Sequence, residues 1–255
     1  MNLSAIGLFS TVFVDHGTLR EACKFMADQT WQEWFENAWA VREESIYRKL
    51  FGDTGSGIYP LDAELFTGQF RQTSVDPRWL THGVFESKPS GTRESWLYVS
   101  SGLSNAWEAD PTKPDEVSGL GCEFIFECPS QSMWALLLLR RMVAFQILLS
   151  VGRFEGKGLV QMWDRIPLRA PIDGTSSKLN WVLLVPAPNF SEQQLLPSGQ
   201  FQFLEFIGIT EDEADFARNN GSDKLVALLT KRKAAPITDP SRESVLENLR
   251  ADPNC

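Results

Sequence analysis

Two carboxylates in the stretch VSGLGCEFIFECP, Glu123 and Glu127, are the residues whose type and spacing first suggest chemistry. Paired acids carry out glycosidic-bond hydrolysis, one as acid and the other as base or nucleophile. On an extended strand, however, same-face residues four apart lie about 13 Å from each other, which is wider than that reaction uses. The simpler expectation is a strand with both acids facing water, while Cys122, Phe124, Phe126 and Cys128 enter a core on the other side.

The remaining catalytic vocabulary is sparse. His16 and His82 are the only histidines, which leaves little for a dyad or a metal centre. HExxH, GxSxG, GxxxxGK[ST] and the EF-hand spacing are absent. The loop GDTGSG (52–57) lacks the lysine of a phosphate-binding loop. GRFEGKG (152–158) has the wrong glycine spacing and no Ser or Thr after Lys157, so it reads as a helix-to-strand turn. Asp164 and Asp173 are isolated acids. The sequence therefore gives no catalytic residue, cofactor site or metal site. The alternative is a hydrolase or transferase with an unrecognised site, drawing on His82 or Asp76 in a deep polar pocket. A further alternative, a structural subunit, requires a large apolar surface patch.

Cys23, Cys122, Cys128 and Cys255 form no CxxC pair and no zinc-ligand spacing. Cys122 and Cys128 are separated by about 20 Å of strand and cannot bond to each other. Buried free thiols in a reducing compartment are the reading, and with no signal peptide apparent at the start, a cytoplasmic location is expected. On the same ground the Asn-x-Ser/Thr matches at Asn2, Asn189 and Asn220 are taken as chance. The acidic balance, −9 with a pI of about 4.9, argues against binding nucleic acid or an anionic membrane directly. It suits a basic protein partner. Residues 133–151 are apolar enough to raise a membrane span, but Arg140 and Arg141 fall at the centre, so a buried helix is expected.

These residues must be positioned by an α+β fold, a mixed, largely antiparallel sheet covered by helices, with an N-terminal helical segment. Helix is predicted over 18–51, where Trp31, Trp34, Phe35, Ala38, Val41 and Tyr47 recur at helical spacing. Strands are predicted at 82–86, 95–101, 117–129, 159–166, 179–185 and 201–209, the fifth apolar on both faces as in a covered central strand. A helix is predicted at 133–151, capped by Ser130 or Ser132. Thr210 opens a capping box with Glu213, and a short helix follows over 223–231 with Ser222 as its cap. The organisation expected is 1–75, an N-terminal helical segment packed on the main domain; 76–232, the α+β domain; and 233–255, a proline-containing C-terminal tail, partly mobile.

The order of blocks resembles a known family. SWLYVSSGLSNAW followed by SGLGCEFIFECP, then LVQMWDRIPL, LNWVLLVPAP, FQFLEFIGITEDE and NNGSDKLVALL, is similar to the suppressor of fused domain family. The resemblance spans about residues 80–232. It implies a non-catalytic protein-binding module. Animal members sequester GLI-type transcription factors by gripping an extended peptide beside strands of this domain, and many bacterial members are proposed to be immunity proteins that neutralise a partner toxin. The chain is shorter than the two-lobed animal proteins, and its N-terminal segment has no counterpart in the pattern, so the resemblance is to a bacterial-type member. The implied partner is a protein, either a toxin or an extended peptide segment. Trp107 falls where animal members have a Tyr in a YGLSDLY-like segment, and Asp115 on the Asp three residues before the SGxG turn. In those proteins both positions line the peptide cleft, so the resemblance makes Trp107 and Asp115 the partner-binding candidates. Glu123 matches an acid of the family's FEL-like strand and carries a surface or structural role.

Overall fold

The computed structural model describes residues 30–247 except Ser56 and Pro114. The predicted helix between 18 and 29, Asn2, His16, Cys23 and Cys255 lie outside the described residues.

Eight strands form one sheet among the described residues: β1 (Tyr59–Pro60), β2 (Gly83–Ser87), β3 (Trp96–Ser101), β4 (Val117–Cys128), β5 (Arg165–Pro167), β6 (Trp181–Pro186), β7 (Gln194–Leu196) and β8 (Gly199–Ile209). Their order is β1-β2-β3-β4-β8-β6-β5, and β7 pairs with the start of β8. Only β4 and β8 run parallel; every other pairing is antiparallel. The expected α+β class with a mixed, largely antiparallel sheet is what forms.

Helices cover both faces. α1 is helical from Thr30 to Phe51, with π-type turns over Val41–Tyr47. Of its predicted stripe, Phe35, Ala38 and Tyr47 are buried and Trp31, Trp34 and Val41 half-buried, and Tyr47 and Phe51 pack on Phe85 and Phe203 of the sheet. On the opposite face lies α2 (Met133–Ser150), against Phe124, Phe126, Cys122 and Cys128. By length and composition α2 could cross a membrane, but it is mostly buried against the sheet. Each fully buried Leu or Phe in this layer contributes roughly 1.5–3 kcal/mol through removal of apolar surface from water. α3 (Glu211–Asn220) and α4 (Ser222–Lys231) return to the α1 side, covering Leu183 and Ile207 at the other end of the sheet. The capping box of Thr210 and Glu213 forms, whereas Ser222 becomes the first residue of α4 and makes no capping bond.

Three expectations are corrected. Glu123 and Glu127 do not face water: they are 0% and 1% exposed, because α1 and its neighbours cover the second face of β4. The strand predicted at 159–166 shortens to Arg165–Pro167. The side chain of Gln146 takes up the backbone of Val160, accepting from its N–H at 2.9 Å and donating to its carbonyl, so the start of that stretch is tied to α2, while Trp163 and Asp164 bond through their backbone to Leu184 of β6. The proline-containing segment after α4 is packed as far as Glu247. Arg242 holds both oxygens of buried Glu213 at 2.7 Å and also the Gly208 carbonyl, and Thr238 donates its amide to the Glu127 carbonyl.

Candidate functional site

The site begins with a break in β4. Between Val117 and Cys122 the register against β8 shifts, so that five positions of β4 advance only two on its partner. Gly119 makes this possible, with φ +55; a Cβ there would stand 2.6 Å from the Asn105 carbonyl and 2.7 Å from that of Leu103. The segment 102–107 can therefore lie directly on the bulge, fixed by the Leu120 amide donating to the Leu103 carbonyl and the Ser118 hydroxyl donating to that of Ser104.

Glu123 secures the same segment from beneath. Its Oε1 accepts from the Gly102 amide at 3.0 Å and from the Ser104 amide and hydroxyl at 2.9 and 2.7 Å, and its other oxygen accepts from Ser100 Oγ. Arg42 of α1 completes the arrangement. Its Nη1 donates to Ser104 Oγ at 3.0 Å and Asn105 Oδ1 at 2.6 Å, and lies 3.8 Å from Glu123 Oε1. Tyr47, five residues along the π-type turn, donates its hydroxyl to the Ser100 carbonyl. Burial first, and then the charge of Glu123, hold that phenol well above its ordinary pKa.

Over this platform opens a cavity of about 330 Å³, between the 102–109 segment, Trp79 and His82, and the end of α2 at Ile147 and Val151. Trp107 and Asp115 both line it. Trp107 is half-buried, its ring 4.3 Å from that of Phe35 and 6.1 Å from that of Trp31, so the aromatic stripe of α1 forms its backing. Asp115 is exposed, and its carboxylate has no side-chain partner among the described residues. Arg78 at the rim is bonded to Asp76 and Glu108.

The residues named for an enzymatic alternative are engaged in local structure. Asp76 caps the turn Pro77–Thr81 by accepting from the Arg78 amide. His82 is buried with Nδ1 3.1 Å from the Arg78 carbonyl, and burial pushes its pKa down, so the ring is neutral at pH 7. Among the described residues no Ser, Thr or Cys side chain is bonded to it, and no cluster of three or more metal-ligating side chains occurs.

The family model described as suppressor of fused protein (SUFU) matches residues 79–243. The chain belongs to the suppressor of fused family. Solved structures share the fold, among them these three. Drosophila Suppressor of Fused aligns with a TM-score of 0.52 and 20% identity, over 67% of this chain and 44% of that one. The chain therefore spans less than half of the Drosophila protein. A Sufu–Fu complex aligns at 0.52 and 20%, covering 74% and 90%. A SUFU homolog from Neisseria gonorrhoeae aligns at 0.51 and 17%, covering 84% and 97%. No curated protein matches the chain.

Within this suppressor of fused fold, sequence reasoning selected Trp107 and Asp115, and the structure brings them to one cavity. It missed Arg42 and Asn105, which fix the cavity floor. The readable signal was an arginine inside the aromatic stripe of α1, four residues from Ala38, where a charge needs a buried partner.

Proposed function

We propose that this chain is a non-catalytic protein-binding module whose cleft is the cavity bordered by Trp107 and Asp115. One observation carries the reading: a segment locked from below by Glu123 and Arg42 presents the half-buried indole of Trp107 to an opening that Asp115, with no side-chain partner among the described residues, also lines. A rigid amphipathic ring beside a free charge is the composition of an interface hot spot. A preformed cleft also avoids the entropy of ordering a loop on binding. The fold is shared with a protein whose structure was solved as a Sufu–Fu complex, which supports a protein partner here. In its finer form the partner is a toxin, occluded in the cytoplasm. The charge of −9 suits a basic target, and the free buried thiols of Cys122 and Cys128 suit a reducing compartment.

The test is affinity capture from native cells with the unaltered chain, Trp107→Ala and Asp115→Arg as parallel baits. One stoichiometric protein, lost at least about tenfold with either substitution, is the expected result. A partner kept by both variants moves the site elsewhere, and no partner at any salt concentration ends the reading. Co-expression separates the finer form: a captured toxin loses its growth inhibition beside the unaltered chain and regains it beside Trp107→Ala.

A further inference from the structure

Glu127 and Glu205 are a buried acid pair for which the cleft has no use. They lie on the α1 face of the adjacent parallel strands β4 and β8, Glu205 opposite Ile125 and Glu127 two residues further on. Strand spacing and rise put their Cα atoms about 8 Å apart. Ser95 donates its hydroxyl to one oxygen of Glu127. The other oxygen of Glu127 and both oxygens of Glu205 are enclosed with no hydrogen-bond partner among the described residues. Two carboxylates so placed cannot both stay ionised, because each would bear the cost of desolvation and the repulsion of the other. Arg93 offsets the charge of Glu127, although its guanidinium donates to the carbonyls of Ser87, Lys88 and Ser95; no cation acts on Glu205. Glu127 is therefore the ionised member and Glu205 the protonated one.

The pair marks a seam. Ile125 and Phe203 belong to the core cluster under α1, with Tyr47 and Phe51, whereas Val185 and Ile207 belong to the cluster under α3 and α4, with Ala214 and Leu225. No described residue is common to both clusters. Ile125 and Val185 flank Glu205 directly across β4 and β6, so the acid stands where two separately packed helical covers meet. Other charges on these elements are matched elsewhere: Arg42 with Glu43 and Glu123, Glu213 with Arg242, and Glu243 with Lys178. Asp212 accepts from Thr210 and Ser244, and Tyr47 donates to the Ser100 carbonyl. The remaining charges of α1, α3 and α4 are exposed. We infer that Glu205 is a proton-dependent latch between the covers: with its proton in place α1 and the α3–α4 pair close over the seam, and loss of that proton to solvent parts them while α2 stays packed on the other face. Because α1 carries Arg42, the parting reaches the floor of the cleft.

The test is native-state hydrogen exchange of the full chain, read by mass spectrometry from pH 6 to pH 9 and corrected for the intrinsic pH dependence of amide exchange. An opening that releases one proton becomes about tenfold more favourable per pH unit, up to the native pKa. That rise is expected in peptides from α1 and α3, which exchange ahead of α2 throughout. Glu205→Gln keeps the shape of the protonated acid and is expected to flatten it. Infrared spectroscopy of the unaltered chain should also show, at pH 7, the carbonyl stretch of a protonated carboxyl group. That band is absent from Glu205→Gln, and in the unaltered chain it fades where the rise in exchange levels off, which keeps the latch testable should Glu205→Gln fail to fold. Exchange of α1 and α3 independent of pH, an equal rise in a folded Glu205→Gln, loss of α1, α3 and α2 as one unit, or no such band each overturns the inference. Neither measurement needs a partner, so failure here leaves the cleft reading as it stands.

Discussion

Arg42 and Glu123 meet inside the protein, Nη1 3.8 Å from Oε1, with each side chain no more than 1% exposed. One comes from the π-type turns of α1 and the other from the face of β4 that the helix covers, so the pair joins the N-terminal helix to the central strand. Direct attraction is a small part of its role. Glu123 accepts the amides of Gly102 and Ser104, and Arg42 holds the side chains of Ser104 and Asn105, so together they set the backbone of the cleft.

Removing Arg42 leaves Glu123 buried without an ionic partner, whereas removing the Glu123 charge leaves Arg42 its contact with Glu43 at 3.3 Å. Arg42→Met is expected to destabilise the protein by about 3–5 kcal/mol in urea denaturation, and Glu123→Gln by less. Their combination should cost clearly less than the sum. Strict additivity in the cycle would show that the two charges act independently.

Gly119→Ala places a methyl group against the Asn105 and Leu103 carbonyls and forces an alanine to φ +55. A loss of at least about 1–3 kcal/mol is expected from the backbone strain alone. Because the displaced segment carries Trp107, partner capture should fall together with the melting temperature. An alanine variant with unchanged stability and unchanged binding would contradict the close approach on which the cavity is built.

Glu205 lies fully buried beside Glu127, with neither carboxylate oxygen bonded among the described residues. Burial first, and then the Glu127 charge, raise its pKa well above 4.5. The native state therefore holds a proton that the unfolded chain has released, so stability is full below about pH 4.5 and declines as pH rises toward the native pKa. Glu205→Gln removes that dependence. Urea denaturation should show a gain on the order of 1–3 kcal/mol at pH 8 and little change at pH 4, whereas an equal effect at both would refute the protonated state.

The thiols of Cys122 and Cys128 are pushed up to about 12 and about 11, chiefly by burial. The thiolate is the reactive form, so neither should be alkylated by iodoacetamide at pH 8 while the protein is folded. Peptide mass spectrometry after brief labelling reads each cysteine separately. Fast native modification of Cys122 would mean that the α2 face of β4 opens more readily than its packing implies.

Much of this was readable from residue order. Alternation on β4 names the face that packs under α2, and the apolar stretch 179–185 announces a strand covered on both sides. That second signal bears on Glu123 and Glu127 too: a helical layer over β6 implies a neighbouring layer over β4, and the two acids sit beneath it. Charge weighed residue by residue places them in water; their burial follows only from what α1 covers. The π-type turns were not readable, since widening a turn by one residue has no composition of its own, yet they bring Arg42 and Tyr47 to the buried side together. Trp107 and Asp115 came from family resemblance alone. Asn105 became visible only when folding brought it between Arg42 and the cavity.

The position of β8 has a consequence for synthesis. This strand of residues 199–209 is the last made of the described strands, yet it stands between β4 and β6 and is the element that joins them. Until it leaves the ribosome, β4 has an unpaired edge bearing Phe124 and Phe126, and the hairpin of β5 and β6 has no sheet to join. The nascent protein thus carries an adhesive border from the completion of β4 until β8 emerges, and its exposure to misassembly is set by how quickly the intervening segment is made.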